Sequence, residues 1–448
     1  MSHNYSDKQY KKILILGFGV EGKDAYCYLK KKYPLATFAI ADRNEIIIPS
    51  KNVKLFCGKN YLRKINDYDL ILKSPGIPSS LKEIKKAEKN GAVITTLANI
   101  FFNECKGKII GVTGTKGKST TATLIYKILK EAKKDAYLVG NIGNTPLKYL
   151  NSNFGKHKIF VYELSSYQLS TLKKSPNISV FLSIFPDHMP YHGSFKNYRD
   201  SKANIAKFQD KNDYFIYNSG YEFIDELAKN SKGKTIDYKN ACLIKDNAIY
   251  YGNEKIIYLK EIKLLGEHNI ENIFACICVA KIFKIPADVI SKAIKNFRCL
   301  EHRLELVGNY QGITFYDDAI STTPESTIAA IEVFKDKLGT IFLGGEDRGY
   351  IFSALAKKIA DYNVQNIVLF PETGEKIQQK IIEIYNKKRI KLPRFLKTKS
   401  MEEAVKFAYK HTPPGRICLL STASPSYSVF KNFIEKGNLF KEEVKKNS

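Results

Sequence analysis

The sequence predicts an α/β protein of three domains, built on parallel sheets with nucleotide-binding loops. Three observations lead to this prediction. Short apolar strands alternate with helix-like segments, glycine-rich turns follow two of the strands, and 448 residues suffice for roughly three domains of ordinary size. Parallel sheets bind ligands at the carboxyl ends of their strands. We place the domains at residues 1–103, 104–302 and 303–448, the first and last Rossmann-like and the central one similar to P-loop ATPases.

The first domain begins with a buried-strand pattern at Lys11–Leu16, followed by Gly17-Phe-Gly-Val-Glu-Gly22. Asp42 ends the second strand, twenty residues after the last glycine, which fits the dinucleotide fingerprint. The same turn could bind the pyrophosphate of a nucleotide sugar, with further donors from Ser74-Pro-Gly76 after the third strand. Taken alone, the turn favours NAD and an oxidoreductase. A purely structural turn is the remaining alternative. The other predicted elements are strands at 37–41, 69–72 and 92–95 and a helix at 80–90.

The segment Gly111-Val-Thr-Gly-Thr-Lys-Gly-Lys-Ser-Thr-Thr121 is the most informative part of the chain. It predicts a strand, a glycine-rich turn and a helix that starts at Lys118. Backbone amides of such a turn bind phosphate oxygens. Lys118 adds a positive charge, and the Ser119 hydroxyl can ligate Mg²⁺. The pattern G-x-x-x-x-G-K-[ST] is not met strictly, because Gly111 lies one residue too early.

Polar residues follow other strands of the central domain. Glu163 ends the apolar strand 159–163, and Asn141 follows the strand 136–139. Asp187-His188 follows the apolar segment 178–184, where a structural histidine is the alternative. A carboxylate beside a phosphate loop is well placed to bind Mg²⁺. A strand at 214–217, a small antiparallel appendage with strands at 248–251 and 255–258, and a helix at 269–283 complete this domain.

Predicted strands and helices alternate again in the third domain. Its predicted strands are 313–316, 340–343, 366–370 and 416–420, and its predicted helices are 324–334, 351–362, 376–387 and 401–411. We expect the last residues, 441–448, to form a frayed tail.

Composition limits the classes of function. The net charge of +27 would suit a nucleic-acid partner, but the lysines are spread over every segment, which favours an ordinary lysine-rich surface. No apolar run is long enough to span a bilayer, and the polar start lacks a signal peptide's apolar segment. The eight cysteines are scattered, which indicates reduced thiols. We therefore expect a cytoplasmic protein without a membrane or nucleic-acid partner.

The motifs together resemble those of the Mur ligases along nearly the whole chain. The resemblance lies in the loop Thr113–Thr120, in Glu163-Leu-Ser-Ser-Tyr-Gln-Leu169, Asp187-His-Met189, Gly266-Glu-His-Asn-Ile-Glu-Asn272, Glu301-His-Arg303 and Asp317-Asp318. The segment 420–440 and the first-domain motifs are most similar to members that attach glutamate to UDP-N-acetylmuramoyl-L-alanine. The resemblance implies a monomeric, ATP-dependent amide ligase of cytoplasmic peptidoglycan synthesis, a pathway of cell-wall biogenesis, cell shape and division. It implies an acyl-phosphate intermediate and glutamate, in the D form, as the amino acid.

The resemblance also assigns roles to residues. ATP would contact Gly114, Thr115, Lys116, Gly117, Lys118, Ser119, Thr120, Asn269, Asn272, Arg303 and Asp318. Mg²⁺ would be held by Ser119, Glu163, His188 and Lys202, the last as a carbamate. The UDP-sugar would contact Gly19, Val20, Glu21, Asp42, Arg43, Ser74, Pro75, Gly76 and Asn141. The amino acid would contact Thr322, Arg348, Ser426, Tyr427 and Phe433, and catalysis would depend on Lys118, Glu163, His188, Lys202 and Arg303. A carbamate requires a neutral amine, so the pocket must lower the pKa of Lys202.

Two positions depart from the family pattern. Ile320 stands where the family commonly has a lysine, and Arg348 stands where it has a glutamate-binding lysine. An arginine can bind a carboxylate bidentately, so the geometry at the amino-acid site could differ. L-glutamate or another amino acid is therefore an alternative to D-glutamate. Alternatives from other classes are an NAD-dependent oxidoreductase and a nucleic-acid-binding ATPase.

Overall fold

The structure, a computed structural model, describes residues 9–47, 53–150 and 157–448. The chain divides into two compact units. The first comprises residues up to Ile262 together with His268–Phe297, and the second comprises Lys263–Glu267 and the residues from Arg298 onward. Across the described residues, no helix combines the length and apolar character that a bilayer crossing requires.

The first unit opens with a five-stranded parallel sheet of order β3-β2-β1-β4-β5. Its strands are β1 (Lys12–Leu16), β2 (Thr37–Asp42), β3 (Lys54–Cys57), β4 (Leu70–Lys73) and β5 (Val93–Thr95). Its helices are α1 (Val20–Lys32), α2 (Lys82–Lys89) and α3 (Leu97–Glu104). The sequence analysis missed β3 and α3. The strand β3 has no fully buried residue, so its apolar pattern is weak.

A second sheet of the first unit contains six parallel strands in the order β11-β10-β9-β6-β8-β7. These strands are β6 (Lys108–Thr113), β7 (Ala136–Gly140), β8 (Ile159–Glu163), β9 (Ile178–Phe181), β10 (Tyr214–Tyr217) and β11 (Lys234–Asp237). The connecting helices are α4 (Lys118–Glu131), α5 (Ser166–Leu169), α6 (Met189–His192), α7 (Phe195–Lys207) and α8 (Glu222–Lys229).

The predicted antiparallel appendage is present and has three strands. After α9 (Tyr238–Ala241) come β12 (Cys242–Lys245), β13 (Ala248–Tyr251) and β14 (Glu254–Tyr258), in which β13 pairs with both neighbours. Two helices follow, α10 (Glu267–Ile282) and α11 (Ala287–Asn296). One continuous apolar cluster connects the first and second sheets, with Ile13 and Phe101 at one end and Phe160 and Phe215 at the other. The loops of both sheets are therefore anchored in a shared core.

The second unit is built on a six-stranded sheet of order β15-β16-β20-β17-β18-β19. In this sheet β15 (Glu305–Tyr310) pairs with β16 (Ile313–Asp317) in the antiparallel direction, and the other strand pairs are parallel. The remaining strands are β17 (Leu338–Gly345), β18 (Asn366–Glu372), β19 (Arg394–Lys397) and β20 (Ile417–Leu420). The helices are α12 (Pro324–Phe334), α13 (Ser353–Asp361), α14 (Thr373–Lys388), α15 (Met401–His411) and α16 (Phe433–Lys446). Apolar clusters cover both faces of this sheet.

The predicted α/β class is confirmed, and two local predictions are wrong. The strand expected at 178–184 ends at Phe181. The expected frayed tail at 441–448 belongs almost entirely to α16, which is capped by Asn432 and buries Phe440 and Val444. Lysine and glutamate dominate this segment, so its few apolar residues gave only a weak helical period. Burial against the sheet, which the local sequence does not show, holds the helix in place.

Candidate functional site

The loop between β6 and α4 has the backbone of a phosphate-binding turn. Gly117 precedes the helix with φ +84°, and a Cβ there would lie 2.4 Å from Asn272 Oδ1. Gly114 has φ +158°, and a Cβ there would lie 3.1 Å from Leu182 and from the Ser183 amide. Only glycine fits both the conformation and the space. Lys116 is exposed, Ser119 is half-buried on the first turn of α4, and Thr115 and Thr120 are buried.

Two lysines approach this loop from different helices. Lys118 Nζ donates to the carbonyls of Gly114 and Thr115, both at 3.0 Å. Lys202 Nζ, from α7, donates to Gly114 O at 2.9 Å and to Thr113 Oγ1 at 3.1 Å. Lys202 is only 1 % exposed. Burial and the charge of Lys118 lower the pKa of Lys202 well below its usual range. The neutral amine that carbamylation requires is thus favoured here.

Glu163 lies at the end of β8, directly beside the loop. Val112 and Glu163 are register partners on neighbouring strands. The carboxylate is 1 % exposed, and its Oε1 accepts from Asn141 Nδ2 at 3.1 Å. Its Oε2 is buried and has no hydrogen-bond partner among the described residues. A buried carboxylate oxygen without a partner is costly, and a hard cation such as Mg²⁺ would satisfy it.

His188 lies on the same rim, with its backbone in the left-handed region at φ 56°. Its ring lies 5.0 Å from that of Tyr167, and its Nε2 lies 3.6 Å from Asp187 Oδ2. Burial lowers the pKa of His188, and nearby lysines add to that effect while Asp187 opposes it. A neutral imidazole can ligate a metal. Ser119 lies on the first turn of α4, Glu163 ends the strand beside β6, and Lys202 donates to the loop; with His188 they are the residues that the resemblance implies for Mg²⁺, and that assignment stays a prediction.

Asn269 and Asn272, both predicted to contact ATP, lie together on the first turns of α10. Asn272 Nδ2 donates to Asn269 Oδ1 at 3.0 Å, and both side chains are nearly buried. Because Asn272 packs against Gly117, the start of α10 adjoins the phosphate loop. The sequence alone could not show this contact between segments 155 residues apart.

The loop after β1 is built by contacts among its own polar groups. Asp42 Oδ2 accepts from the Phe18 amide at 2.7 Å, and Ser74 Oγ donates to Gly17 O at 3.1 Å. A Cβ on Gly17 would lie 2.5 Å from Ser74 Oγ, whereas a Cβ on Gly19 would meet nothing within 4 Å. The open space at Gly19 is what the close approach of a pyrophosphate requires. Val20, Arg43 and Gly76 are exposed around the same loop.

Two hydrogen bonds join this loop region to the central segments of the same unit. Gln168 Nε2 donates to Glu21 Oε1 at 2.8 Å, and Tyr191 Oη donates to Pro75 O at 2.9 Å. The residues predicted for the UDP-sugar are therefore fixed relative to the Glu163 segment. Both bonds connect residues whose separation in sequence exceeds one hundred positions, so no local pattern indicates them.

Comparison with known proteins finds related sequences along nearly the whole chain. The sequence matches the family described as Mur ligase middle domain over residues 112–280, and the family described as Mur ligase, glutamate ligase domain over residues 302–423. The chain is 35 % identical to the UDP-N-acetylmuramoylalanine–D-glutamate ligase of Acetivibrio thermocellus, covering 97 % of this chain and 96 % of that protein. It is 32 % identical to the ligase of the same name from Clostridium botulinum, covering 97 % of each chain.

The chain belongs to the Mur ligase family. Among solved structures, UDP-N-acetylmuramate-alanine ligase MurC from Thermotoga maritima matches with a TM-score of 0.61 and 18 % identity, over 98 % of this chain and 100 % of that one. The MurF ligase from Thermotoga maritima, solved in complex with ADP, matches with a TM-score of 0.58 and 15 % identity, over 99 % and 97 % of the two chains. At these identities the structures support the shared fold.

The second unit of this Mur ligase holds Arg303 and Asp318, two of the residues predicted to contact ATP. Asp318 is buried and accepts from the Leu304 amide at 3.2 Å and from Ser421 Oγ at 2.8 Å. Burial raises the pKa of Asp318 to about 6, although its hydrogen bonds and Arg303 oppose the shift. The Arg303 Nε is buried without a hydrogen-bond partner among the described residues, so its guanidinium retains a donor for a ligand.

The residues predicted for the amino acid also lie in this unit. Arg348 lies 5.8 Å from the Tyr427 ring centre and pairs with Glu346 at 2.8 Å. Ser426 is 4 % exposed, and its hydroxyl has no partner among the described residues. Phe433 packs edge-on to His302 at 5.9 Å, and Thr322 is half-buried after the Asp317-Asp318 turn. Arg348 and Tyr427 are thus brought together, while Phe433 belongs to the surroundings of His302.

Sequence reasoning missed three buried polar residues of this Mur ligase. They are Lys73, which ends β4; His192, which ends α6; and Lys436, in α16. Burial lowers the pKa of Lys73 to about 8 and that of Lys436 to about 7. Lys436 Nζ donates to Thr422 Oγ1 at 2.5 Å. In a chain with 72 lysines and arginines, no composition signal could distinguish these two cations from surface lysines.

Proposed function

We propose that the chain is an ATP-dependent ligase that joins D-glutamate to UDP-N-acetylmuramoyl-L-alanine in cytoplasmic peptidoglycan synthesis, acting as a monomer. The observation that carries this proposal is the arrangement around the phosphate loop. Two lysines and a buried carboxylate oxygen without a partner converge there, in a chain that belongs to the Mur ligases. The names of its relatives supply the nucleotide-sugar and the D-glutamate.

The reaction would proceed in two displacements. A carboxylate oxygen of the alanyl group attacks the γ-phosphorus of ATP, and the bond to the ADP oxygen breaks. The glutamate amine then attacks the acyl carbon and loses a proton, and phosphate leaves. Phosphorylation is required because a carboxylate is a poor electrophile. The protein's contribution is alignment and charge neutralisation among three anions.

Each residue near the loop has a role in that scheme. The amides of Gly114 and of Gly117 to Ser119 would bind phosphate oxygens, whereas those of Thr115 and Lys116 already donate to Ser183. Lys118, which now donates to loop carbonyls, would turn to the β- and γ-phosphates. Asn269 and Asn272 would face adenine. Before ATP binds, the carbonyl contacts of Lys118 keep its charge beside the loop, so little side-chain freedom is lost on binding.

The donor set suits a divalent cation. Glu163 offers a buried oxygen, His188 a neutral imidazole and Ser119 a hydroxyl. Mg²⁺, when bound, would shield the charge of the phosphate oxygens. We further propose that Lys202 carries a carbamate, because its pocket already disfavours the ammonium. The carbamate would convert an amine that now donates to Gly114 O into an oxygen ligand.

A phosphate-release assay tests the proposed function. Purified enzyme is given ATP, Mg²⁺, UDP-N-acetylmuramoyl-L-alanine and one amino acid from a panel of both hands, and each substrate is omitted in turn. Full phosphate release should require all three substrates, and D-glutamate should support the highest kcat/KM. Equal rates without the nucleotide sugar or without any amino acid would refute the proposal. A preference for another amino acid would keep the ligase chemistry and replace the substrate.

A further inference from the structure

His192 joins two elements that carry predicted metal-site residues. It ends α6 and is 8 % exposed. Its Nε2 lies 3.0 Å from Ser166 Oγ, on α5, and its Nδ1 lies 3.4 Å from Ser201 Oγ, on α7. Both ring nitrogens are thus used, and each one contacts a different helix.

The hydrogen bonds of the neighbours assign the tautomer. Ser201 Oγ donates its proton to Asn197 O at 2.7 Å, so it can only accept from the ring. The proton must therefore lie on Nδ1, which leaves Nε2 as an acceptor for the Ser166 hydroxyl. Asn197 Nδ2 also donates to His192 O at 2.8 Å. The result is a one-directional chain from Ser166 through the imidazole to the Asn197 carbonyl.

Aromatic rings enclose the imidazole. Tyr167 stacks on it with ring centres 5.7 Å apart at 7°, and Tyr198 meets it edge-on at 5.3 Å. Burial, with the nearby charges of His188 and Lys202, lowers the pKa of His192 to about 4. The ring is therefore neutral at physiological pH, in agreement with the tautomer that the hydrogen bonds require.

The two serines lie next to functional groups. Ser166 is three residues after Glu163, and Ser201 directly precedes Lys202. Between them, Thr113 Oγ1 donates to Leu164 O at 2.9 Å and accepts from Lys202 Nζ at 3.1 Å. The spacing between the Glu163 carboxylate and the Lys202 side chain thus depends on how α5 and α7 are held together.

We propose that His192 is a positioning residue, which fixes α5 against α7 and so sets the distance between Glu163 and Lys202. The inference rests on the proposed function, since these two residues matter as a pair only in a ligase with a metal-bound triphosphate. A buried histidine that merely fills space would need its ring but not its two directed hydrogen bonds. This difference makes the proposal testable.

Three variants distinguish the contribution of the aromatic ring of His192 from that of its two hydrogen bonds. His192→Phe keeps the aromatic packing and removes both bonds. His192→Asn can still donate toward Ser201, and His192→Gln can still accept from Ser166. His411→Phe is the matched control, because that ring lies at the end of α15 against Phe407, outside the site. Melting temperatures of all four establish that each variant is folded before it is compared.

The first readout needs no catalysis. Nitrogen-15 spectra of the histidine rings in the full-length enzyme at pH 7.5 should show His192 neutral and protonated on Nδ1. A ring protonated on Nε2, or a charged ring, would overturn the assignment.

The second readout is the affinity for Mn²⁺, used as a probe for Mg²⁺ in the presence of ADP and measured by water-proton relaxation. His192→Phe should weaken Mn²⁺ binding about tenfold, the Asn and Gln variants should weaken it less, and His411→Phe should not change it. Adding Ser201→Ala to His192→Phe should not weaken Mn²⁺ binding further, because the hydrogen bond between these two residues is already lost.

Mn²⁺ affinity and kcat within twofold of wild type in the folded Phe variant would refute the positioning role. If wild-type enzyme shows the tautomer and binds Mn²⁺ but does not ligate, the proposed function fails instead.

Discussion

The two glycine-rich loops of the first unit are stabilised in different ways. In the loop after β1, neutral and carboxylate groups satisfy the backbone directly: Asp42 accepts from the Phe18 amide and Ser74 donates to Gly17 O. In the loop after β6, the side-chain nitrogens of Lys118 and Lys202 donate to loop carbonyls. The backbone of the first loop is held by uncharged and acidic side chains, whereas the second loop holds the positive charge of Lys118, which an anion could redirect.

The comparison teaches what each loop contributes. A loop whose backbone is held in this way offers shape and backbone amides, and it would bind its ligand with little change in charge. A half-buried cation such as Lys118 is electrostatically costly until an anion arrives. The chemistry should therefore depend strongly on the second loop, and recognition of the nucleotide sugar on the first.

The largest expected effect is at Lys118. Lys118→Met should lower phosphate release by about 100- to 1,000-fold, because a group that stabilises charge on the transferred phosphoryl is lost. Ser74→Ala, in the other loop, should raise KM for the nucleotide sugar only a few-fold. Lys127→Met, on the exposed side of α4, serves as the control and should match wild type. A Lys118→Met enzyme within tenfold of wild type would remove the contrast between the loops.

The second-largest effect on activity is expected at Lys202. Lys202→Ala should be nearly inactive, since it loses the proposed oxygen ligand together with contacts to Thr113 and Gly114. Small carboxylates such as formate or acetate should restore part of the activity by occupying the vacated volume. Steady-state rates with and without added carboxylate measure this effect. Wild-type activity in Lys202→Ala would exclude the residue from the site.

Alanine substitutions at two glycines should sharpen the comparison. Gly117→Ala should destabilise the fold by about 1–2 kcal/mol, because its φ is +84° and its Cβ would meet Asn272. Gly19→Ala should stay within about 0.5 kcal/mol of wild type, since its Cβ meets nothing within 4 Å. Gly19→Ala should instead raise KM for the nucleotide sugar. Urea unfolding and substrate titrations test the pair, and equal stability losses would contradict it.

The smallest effect concerns pH. Burial lowers the pKa of Lys73 to about 8, so between pH 8 and 10.5 the unfolded chain binds more protons than the folded one at this residue. Stability should therefore rise with pH in that window through Lys73, by on the order of 1–2 kcal/mol between pH 8 and 9.5. Lys73→Met should flatten this rise in urea unfolding of the first unit. An unchanged pH slope would show that the ammonium is better solvated than its burial indicates.

Much of the site followed from the sequence because its residues lie at the ends of recognisable strands. The phosphate loop directly follows β6, Glu163 ends β8 and His188 lies in the connection that follows β9, and parallel strands place such ends at one edge. Lys202 lies within a helix, where its sequence alone indicates a solvated side chain; only family resemblance singled it out. His192, Lys73 and Lys436 were missed because burial distinguishes them from the other histidines and lysines, and burial is a tertiary property.

The sequence by itself determined the alternation of strands and helices, the two glycine-rich turns and the acidic and basic side chains beside them, because these depend on local pattern and backbone conformation. Tertiary structure decided which distant groups meet. It brought Asn272 against Gly117, Gln168 against Glu21 and the side-chain nitrogen of Lys202 within hydrogen-bond distance of the Gly114 carbonyl. Hydrogen bonding and pKa depend on distance and exclusion of water, and both are set when the sheets pack, so the state of each site residue could be learned only from the folded chain.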